Sequence, residues 1–385
     1  MTADSNSAAP RGWQVRRFRL PAVVAALVAA TLTFAAAPAH AGTVHVVLPG
    51  QSIQAAVDAA SPGDTVQLVR GTYRQSVTIS TDGITLRGAG AGPDGSVLLP
   101  PPVPPAGFCA QVPPDSATHG GGVCVFGAFD PVTGNISSYT TGVHITGIRV
   151  QDAAGDGLVG YGTRGLRIDH VAAINSGVYG IVVIASQHAT VARNLVEGLQ
   201  TNGAGMYLGF LTHAGLLVTG NTVRGAALGI FMQDVQDVSI TGNDASGNCS
   251  GALLLDDNHP QDGQPPGTVN GDITIARNAF TANNVLCSGH PTIQGAGLLM
   301  IGTRHTLVVG NAVTANNGAQ PLSGGIVLVS AVPFGGLAEG SDTIMHNTLT
   351  GNTPDDLSWD GNGSGIAFRA NQCGTCAPAQ LCAGP

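Results

Sequence analysis

Lysine is absent from this chain: all 15 basic residues are arginine. Schiff-base catalysis, a lysine general base and the lysine-dependent phosphate loop are thereby excluded. Charge of either sign is scarce, at 10% of residues, where about 25% is usual. What charge there is leans acidic, with 23 Asp and Glu. That balance argues against a nucleic-acid binder, which would present a basic stripe. Hydrophobic residues, by contrast, reach 43%, too many for a disordered chain. Glycine is abundant, 56 of 385 residues, about twice the usual ~7%. It follows no triplet, which excludes collagen.

The first residues read as an address. Arg11, Arg16, Arg17 and Arg19 precede an apolar run from Val23 to Ala37, and Ala39-His40-Ala41 forms a small-x-small site before Gly42. This is the layout of a secretory signal peptide over residues 1–41, with cleavage expected after Ala41. The apolar run is short for a membrane span of about 20 residues. Cleavage would leave 11 Arg against 22 Asp and Glu, an acidic, secreted chain. No second run of spanning length follows, so stable membrane insertion is not expected.

All seven cysteines fall after residue 41, and an oxidising compartment lets them pair. The expected bridges are Cys109–Cys124, Cys249–Cys287 and Cys373–Cys382, leaving Cys376 free. Cys373-Gly-Thr-Cys376 spells a redox or half-zinc motif, but no strand–helix context or second ligand pair accompanies it. A structural clip is expected there.

Residues 143–370 repeat. An apolar-x-apolar segment is followed three residues later by one column: Ile148, Val171, Asn194, Asn221, Asn243, Asn278, Asn311 and Asn347. A second segment begins with Gly157, Gly180, Gly205, Gly229, Gly251, Gly297, Gly325 and Gly365. The basic unit is 22–23 residues, and longer steps mark insertions near 256–270, 279–296, 312–324, 331–340 and 348–364. Such a period suits leucine-rich repeats or a β-solenoid. Helix formers are too few, and the apolar segments alternate with period two, as in Val238-Ser239-Ile240 and Ile273-Thr274-Ile275. Stacked coils about 4.8 Å apart would line up Val191, Val218, Ile240, Ile275, Val308 and Ile344 inside. The Asn column would pass amide hydrogen bonds from coil to coil. The Gly column marks close backbone approach.

These repeats, with the entry segment Ser52-Ile53-Gln54-Ala55-Ala56-Val57-Asp58, Pro62-Gly63-Asp64-Thr65-Val66 and Gly71-Thr72-Tyr73, resemble the right-handed parallel β-helix proteins of the pectin-lyase-like superfamily. The resemblance covers roughly residues 44–370. It implies an all-β solenoid of about 22–23 residues per coil within a single domain, residues 42–385. The expected parts are an insertion over 91–141, regular coils over 143–370 and a disulfide-rich cap over 371–385. Ser52 is placed to cap a short helix whose Ile53, Ala56, Val57 and Ala60 share a face and would cover the first coil. The superfamily includes lyases, glycoside hydrolases, epimerases, tailspikes and non-catalytic surface proteins, so it implies no single activity.

Several motifs are discarded on context. Gly160-Tyr161-Gly162-Thr163-Arg164-Gly165 spells a dinucleotide fingerprint, but no helix follows it. His119-Gly120-Gly121-Gly122 resembles an esterase oxyanion strand, but the chain has no G-x-S-x-G elbow. Of the blocks that polygalacturonase-like enzymes carry, Asp256-Asp257 and Gly289-His290 are partial echoes and the others are missing. The Asp-Pro-His block of alginate epimerases is missing too.

One cluster survives by register. Asp234 stands five past Gly229 and Asp256 five past Gly251, so the two should stack on adjacent coils with Asp257 beside them. Asp237, His259 and Asp262 are near in sequence. Carboxylates about 5 Å apart share a proton or hold a cation, and Ca²⁺ suits such oxygens. Asp234, Asp256 and Asp257 are accordingly the candidate catalytic residues and the candidate metal ligands. The alternative is a turn in which each Asp caps its own backbone.

Two past each column Gly, the outward positions are Val159, Val182, Tyr207, Phe231, Leu253, Leu299 and Val327. So long an apolar stripe is either covered by the chain itself, with residues 91–141 the first choice, or a binding groove with Tyr207 and Phe231 as sugar platforms. The function expected from these features is engagement of an extracellular carbohydrate polymer, as lyase or glycoside hydrolase if catalytic. The alternative is a non-catalytic wall or matrix module.

Overall fold

The computed structural model describes residues 42–103, 109, 121–130, 133–199, 203–256, 271–287, 289 and 291–382. Residues 1–41, where a signal peptide is expected, lie outside them. The chain winds as a parallel β-helix with three strand ladders, here called the first, second and third faces in the order a coil visits them. One coil shows the path: Thr190–Ala192 lies on the first face, Leu195–Leu199 on the second and Ala204–Leu211 on the third. Among the described residues, no helix is long and apolar enough to cross a membrane.

The coils stack because each contributes inward residues to continuous apolar columns. Val191, Val218, Ile240, Ile275, Val308 and Ile344 are in register along the first face and fully buried. No coil could bury such residues alone, so stability resides in the neighbour contacts. The short helix Ile53–Ala59 closes the first coil; Ser52 Oγ accepts the Ala55 amide, and Ile53 and Val57 are buried.

Asparagine fixes the turn between the first and second faces. Asn194 Nδ2 donates to Asn221 Oδ1, and the same bond runs on through Asn243, Asn278, Asn311 and Asn347 to Asn371. Each Oδ1 also accepts a backbone N–H from the coil before, Asn194 from Val171 and Asn243 from Asn221, both at 3.0 Å. A parallel ladder five residues on, Asn248–Asn283–Asn316–Asn352, ends on Asp356. The first ladder was expected. The second was not, although its spacing from the first is constant.

The glycine column opens the third face. A Cβ on Gly229 would stand 2.2 Å from the Gly251 carbonyl oxygen, and one on Gly251 would stand 2.4 Å from that of Gly297. Backbone contact between coils is what excludes a side chain. Gly365 does not belong to this column. Leu357 pairs with Ile326 on the third face, so Asp356 follows Gly325, while Ala367 pairs with Thr343 and places Gly365 against Ser341. Gly365 occupies the left-handed turn entering the first face, with φ of 75°. Both turns favour glycine, and the insertion before Gly365 hid which one had been reached.

Regular winding starts earlier than the repeat suggests. Val44–Val47 already pairs with Thr65–Leu68. Inside the expected insertion, Ser96–Leu98 is a second-face strand and Val123–Phe126 a third-face strand. Cys109–Cys124 and Cys249–Cys287 form as expected. The tail pairs differently. Cys376 is bonded to Cys382, and Cys373 is the free thiol. Cys376 opens the strand Cys376–Ala377, and the 3₁₀ turn Ala379–Leu381 returns Cys382 to within a Cα distance of 5.7 Å.

Candidate functional site

Third-face strands are apolar on both sides. Ile230, Met232, Ala252, Leu254, Leu298 and Met300 point inward and are buried. The outward stripe runs in register from Val159 through Val182, Tyr207, Phe231, Leu253 and Leu299 to Val327. All of these but the half-buried Phe231 are themselves buried. They form a second apolar cluster with Cys109, Phe129, Ile136, Cys287, Ile293 and Leu322. The stripe is therefore covered by the chain, by several insertions rather than by residues 91–141 alone. Phe108, which falls within the expected cover, lies outside the described residues.

Three rings form a stack on this face. Tyr179 and Tyr207 have centroids 5.0 Å apart, and Tyr207 and Phe231 lie 5.2 Å apart at an interplanar angle of 17°. Tyr207 is only 8% exposed. Its hydroxyl donates to Gln233 Oε1 at 2.9 Å. Gln233 links the stack to the acidic turn, because Asp234 is the next residue.

The register places Asp234 and Asp256 together. Gln233 pairs with Leu255, so the two aspartates follow on adjacent coils. Both are buried, at 1% and 0% exposure. Asp234 has φ of 49° and stacks in a left-handed column with Ala185 at 47° and Phe210 at 53°. Asp tolerates that conformation better than most residues. One coil beyond, Leu255 pairs with Ile301 and brings in Gly302. A Cβ on Gly302 would stand 2.5 Å from the Ala331 Cβ, and one on Gly336 would stand 2.4 Å from the Asp256 carbonyl oxygen. The 331–337 loop thus closes over the turn. Asp257, His259 and Asp262 lie outside the described residues. Asp237 caps a turn instead, accepting the Gly215 amide at 3.0 Å.

Glu339 is the acidic residue that the repeat count misses. It is 1% exposed, and its Oε1 accepts the Gly302 amide at 3.3 Å. Among the described residues, Oε2 has no hydrogen-bond partner. Burial, chiefly, pushes its pKa up to about 7, and Asp360 and Asp342 add to the rise. Asp342 sits in the inward column that Val238 and Ile273 fill in earlier coils; it accepts from the Thr306 amide and the Thr303 hydroxyl, and burial raises its pKa. The only advance signal for Glu339 was its place in the 331–340 insertion.

A polar cluster on the first face behaves in the opposite way. The buried Asp169 carboxylate meets Thr146 Oγ1, His170 Nδ1 and His144 Nε2 at 2.6–3.1 Å, and Arg167 Nε as well. Burial opposes its charge, but these partners outweigh burial and hold it well below the usual carboxylate range.

Residues 156–353 match the family described as the right-handed beta helix region. No curated protein matches the chain in sequence. Among solved structures, the chain is similar to DFA-IIIase from Arthrobacter chlorophenolicus A6 without its lid, at 18% identity and a TM-score of 0.53 over 82% of this chain and 88% of that one. It is similar to the A-module of the Azotobacter vinelandii mannuronan C-5 epimerase AlgE4, at 16% identity and a TM-score of 0.51 over 85% and 91%. It is also similar to a Yersinia enterocolitica family 28 exopolygalacturonase, at 12% identity and a TM-score of 0.54 over 86% and 78%. At such identities the likeness is one of fold.

Proposed function

The chain belongs to the right-handed β-helix family, and from that premise we propose that it engages an extracellular polysaccharide along the third face, at the turn of Asp234 and Asp256. The observation that carries this reading is the register of two buried aspartates on adjacent coils, next to the ring stack of Tyr179, Tyr207 and Phe231. A sugar ring would rest on the partly open Phe231, with Tyr207 holding that ring from behind. The two carboxylates are buried beneath the 331–337 loop, so they would meet a hydroxyl, an acidic group or a glycosidic oxygen only once that loop moves aside. Carboxylates on adjacent coils would share a proton, which separates an acid from a base, or hold a cation such as Ca²⁺. Asp257 belongs to the same reading as the third carboxylate. Two structural neighbours named for action on mannuronan and polygalacturonate share this scaffold, which favours an acidic glycan. Secretion belongs to the proposal too, since three disulfides suit an oxidising compartment.

A second reading has its own support. The stripe is buried by the chain, which leaves less open groove than a long glycan needs and favours a non-catalytic wall or matrix module.

Binding to alginate, polygalacturonate and neutral glycans separates the two readings, combined with reducing-sugar assays and ultraviolet absorbance of unsaturated products. The expected result is a selective acidic glycan whose binding or turnover falls at least tenfold in Asp234→Asn/Asp256→Asn. Equal behaviour of wild type and variant towards every glycan would leave the structural module.

A further inference from the structure

The C-terminal cap holds chemistry that the glycan reading does not use. Cys373, Cys376 and Cys382 bring their three sulfurs within 4.8 Å of one another. The Cys373 sulfur is 3.3 Å from that of Cys376, which is bonded to Cys382. Asp356 sets up this approach. Its Oδ2 accepts the amides of Gly374 at 2.8 Å and Thr375 at 3.4 Å, folding the turn between Cys373 and Cys376 so that the free thiol faces back on the bridge.

We propose that the cap is a thiol–disulfide exchange site in which Cys373 is the nucleophile and the Cys376 sulfur is the one attacked. Cys373 first gives its proton to solvent. Its thiolate then bonds to the Cys376 sulfur while the Cys376–Cys382 bond breaks, and Cys382 leaves as a thiolate that takes up a proton. One bridge is lost and one is made, so the step needs no oxidant or reductant.

The two bridges hold the cap differently. Cys376–Cys382 ties down the 3₁₀ turn Ala379–Leu381. With Cys373–Cys376 in its place, that turn is held by its own hydrogen bonds, Leu381 N to Pro378 O and Cys382 N to Ala379 O, and by the packing of Leu381. Leu381, Cys373 and Cys376 pack against the apolar core, so exchange alters what seals the last coil. The thiolate is the reacting form. Burial first, and then the charge of Asp356, raise the Cys373 pKa. A cleft of about 430 Å³ beside it is lined by Thr348, Leu349, Gln372, Thr375 and Asp356, of which Asp356 alone is charged. Exchange is therefore slow at neutral pH and quickens as pH rises.

The full protein is incubated between pH 6 and 9, quenched in acid and capped with N-ethylmaleimide without reduction. Cleavage after Arg369 leaves the three cysteines on one peptide, and fragmentation locates the cap. Label is expected on Cys373 at first and increasingly on Cys382, with a rate rising roughly tenfold per pH unit below the thiol pKa. Label confined to Cys373 at every pH and time would overturn the proposal. Cys382→Ser gives an independent reading: a Cys373–Cys376 bridge is expected to form in it, and two free thiols in that variant after air exposure would also sink the idea.

Discussion

The turn that carries the asparagines and the turn that carries Asp234 and Asp256 lie on the same coils, yet they treat buried polar groups in opposite ways. In the asparagine turn each side chain is both donor and acceptor, so every coil satisfies its neighbour and the pattern propagates to Asn371. In the acidic turn the residues change from coil to coil, from Ala185 and Phe210 to Asp234, Asp256 and Gly302. Carboxylates cannot donate to one another when ionised, so they cannot build such a ladder. A repeated, self-satisfying polar column serves the solenoid, while a short acidic interruption beside insertions is where binding or chemistry can be placed.

Removing the seam between the two regions should cost most. Cys249 stands between Asn248 of the second ladder and the strand leading to Asp256, and its bridge to Cys287 spans 38 residues. Cys249→Ala is expected to lose about 4 kcal/mol, read by denaturant unfolding. Breaking the ladder itself comes next. Asn243→Leu strands the Asn221 backbone and side-chain donors and the Val218 carbonyl, for about 3 kcal/mol. A melt indistinguishable from wild type would show that the column is dispensable.

The acidic side should reveal itself through pH. Glu339 rises from 4.5 to about 7 in the folded protein. A raised carboxyl pKa means that the folded state holds the proton more tightly. The stabilisation it gives is complete below about 4.5 and fades as pH climbs through about 7. Wild type should therefore lose about 2 kcal/mol relative to Glu339→Gln across that window. A constant difference between the two would mean that the carboxyl titrates normally. The smallest stability effect is expected for Asp234→Asn/Asp256→Asn, less than about 1 kcal/mol because the replacement is isosteric and removes like charge. If that double variant unfolds instead, the acidic turn is as structural as the asparagine turn and the contrast collapses.

Part of the acidic site was legible in advance. Asp234 and Asp256 share an offset from the glycine column, and a pure period count stacks them. Tyr207 and Phe231 follow from the same count. Glu339 was not legible because it reaches Gly302 across an insertion, where distance along the chain no longer reports height along the stack. Gly365 was misplaced for the same reason. The tail disulfide also escaped: three cysteines within ten residues can all touch, and their order along the chain says nothing about which sulfur the 3₁₀ turn returns to Cys376.

The sequence by itself determined the solenoid, its inward columns, its asparagine turn and the bridge from Cys249 to Cys287. A repeat turns contacts between coils into a fixed spacing that can be counted. Only the tertiary structure decided that the apolar stripe is buried, that Glu339 joins the acidic turn and that Cys373 is the free thiol. Each of those depends on the path of an insertion or a tail, and such segments are placed by packing against the finished coils rather than by any period of their own.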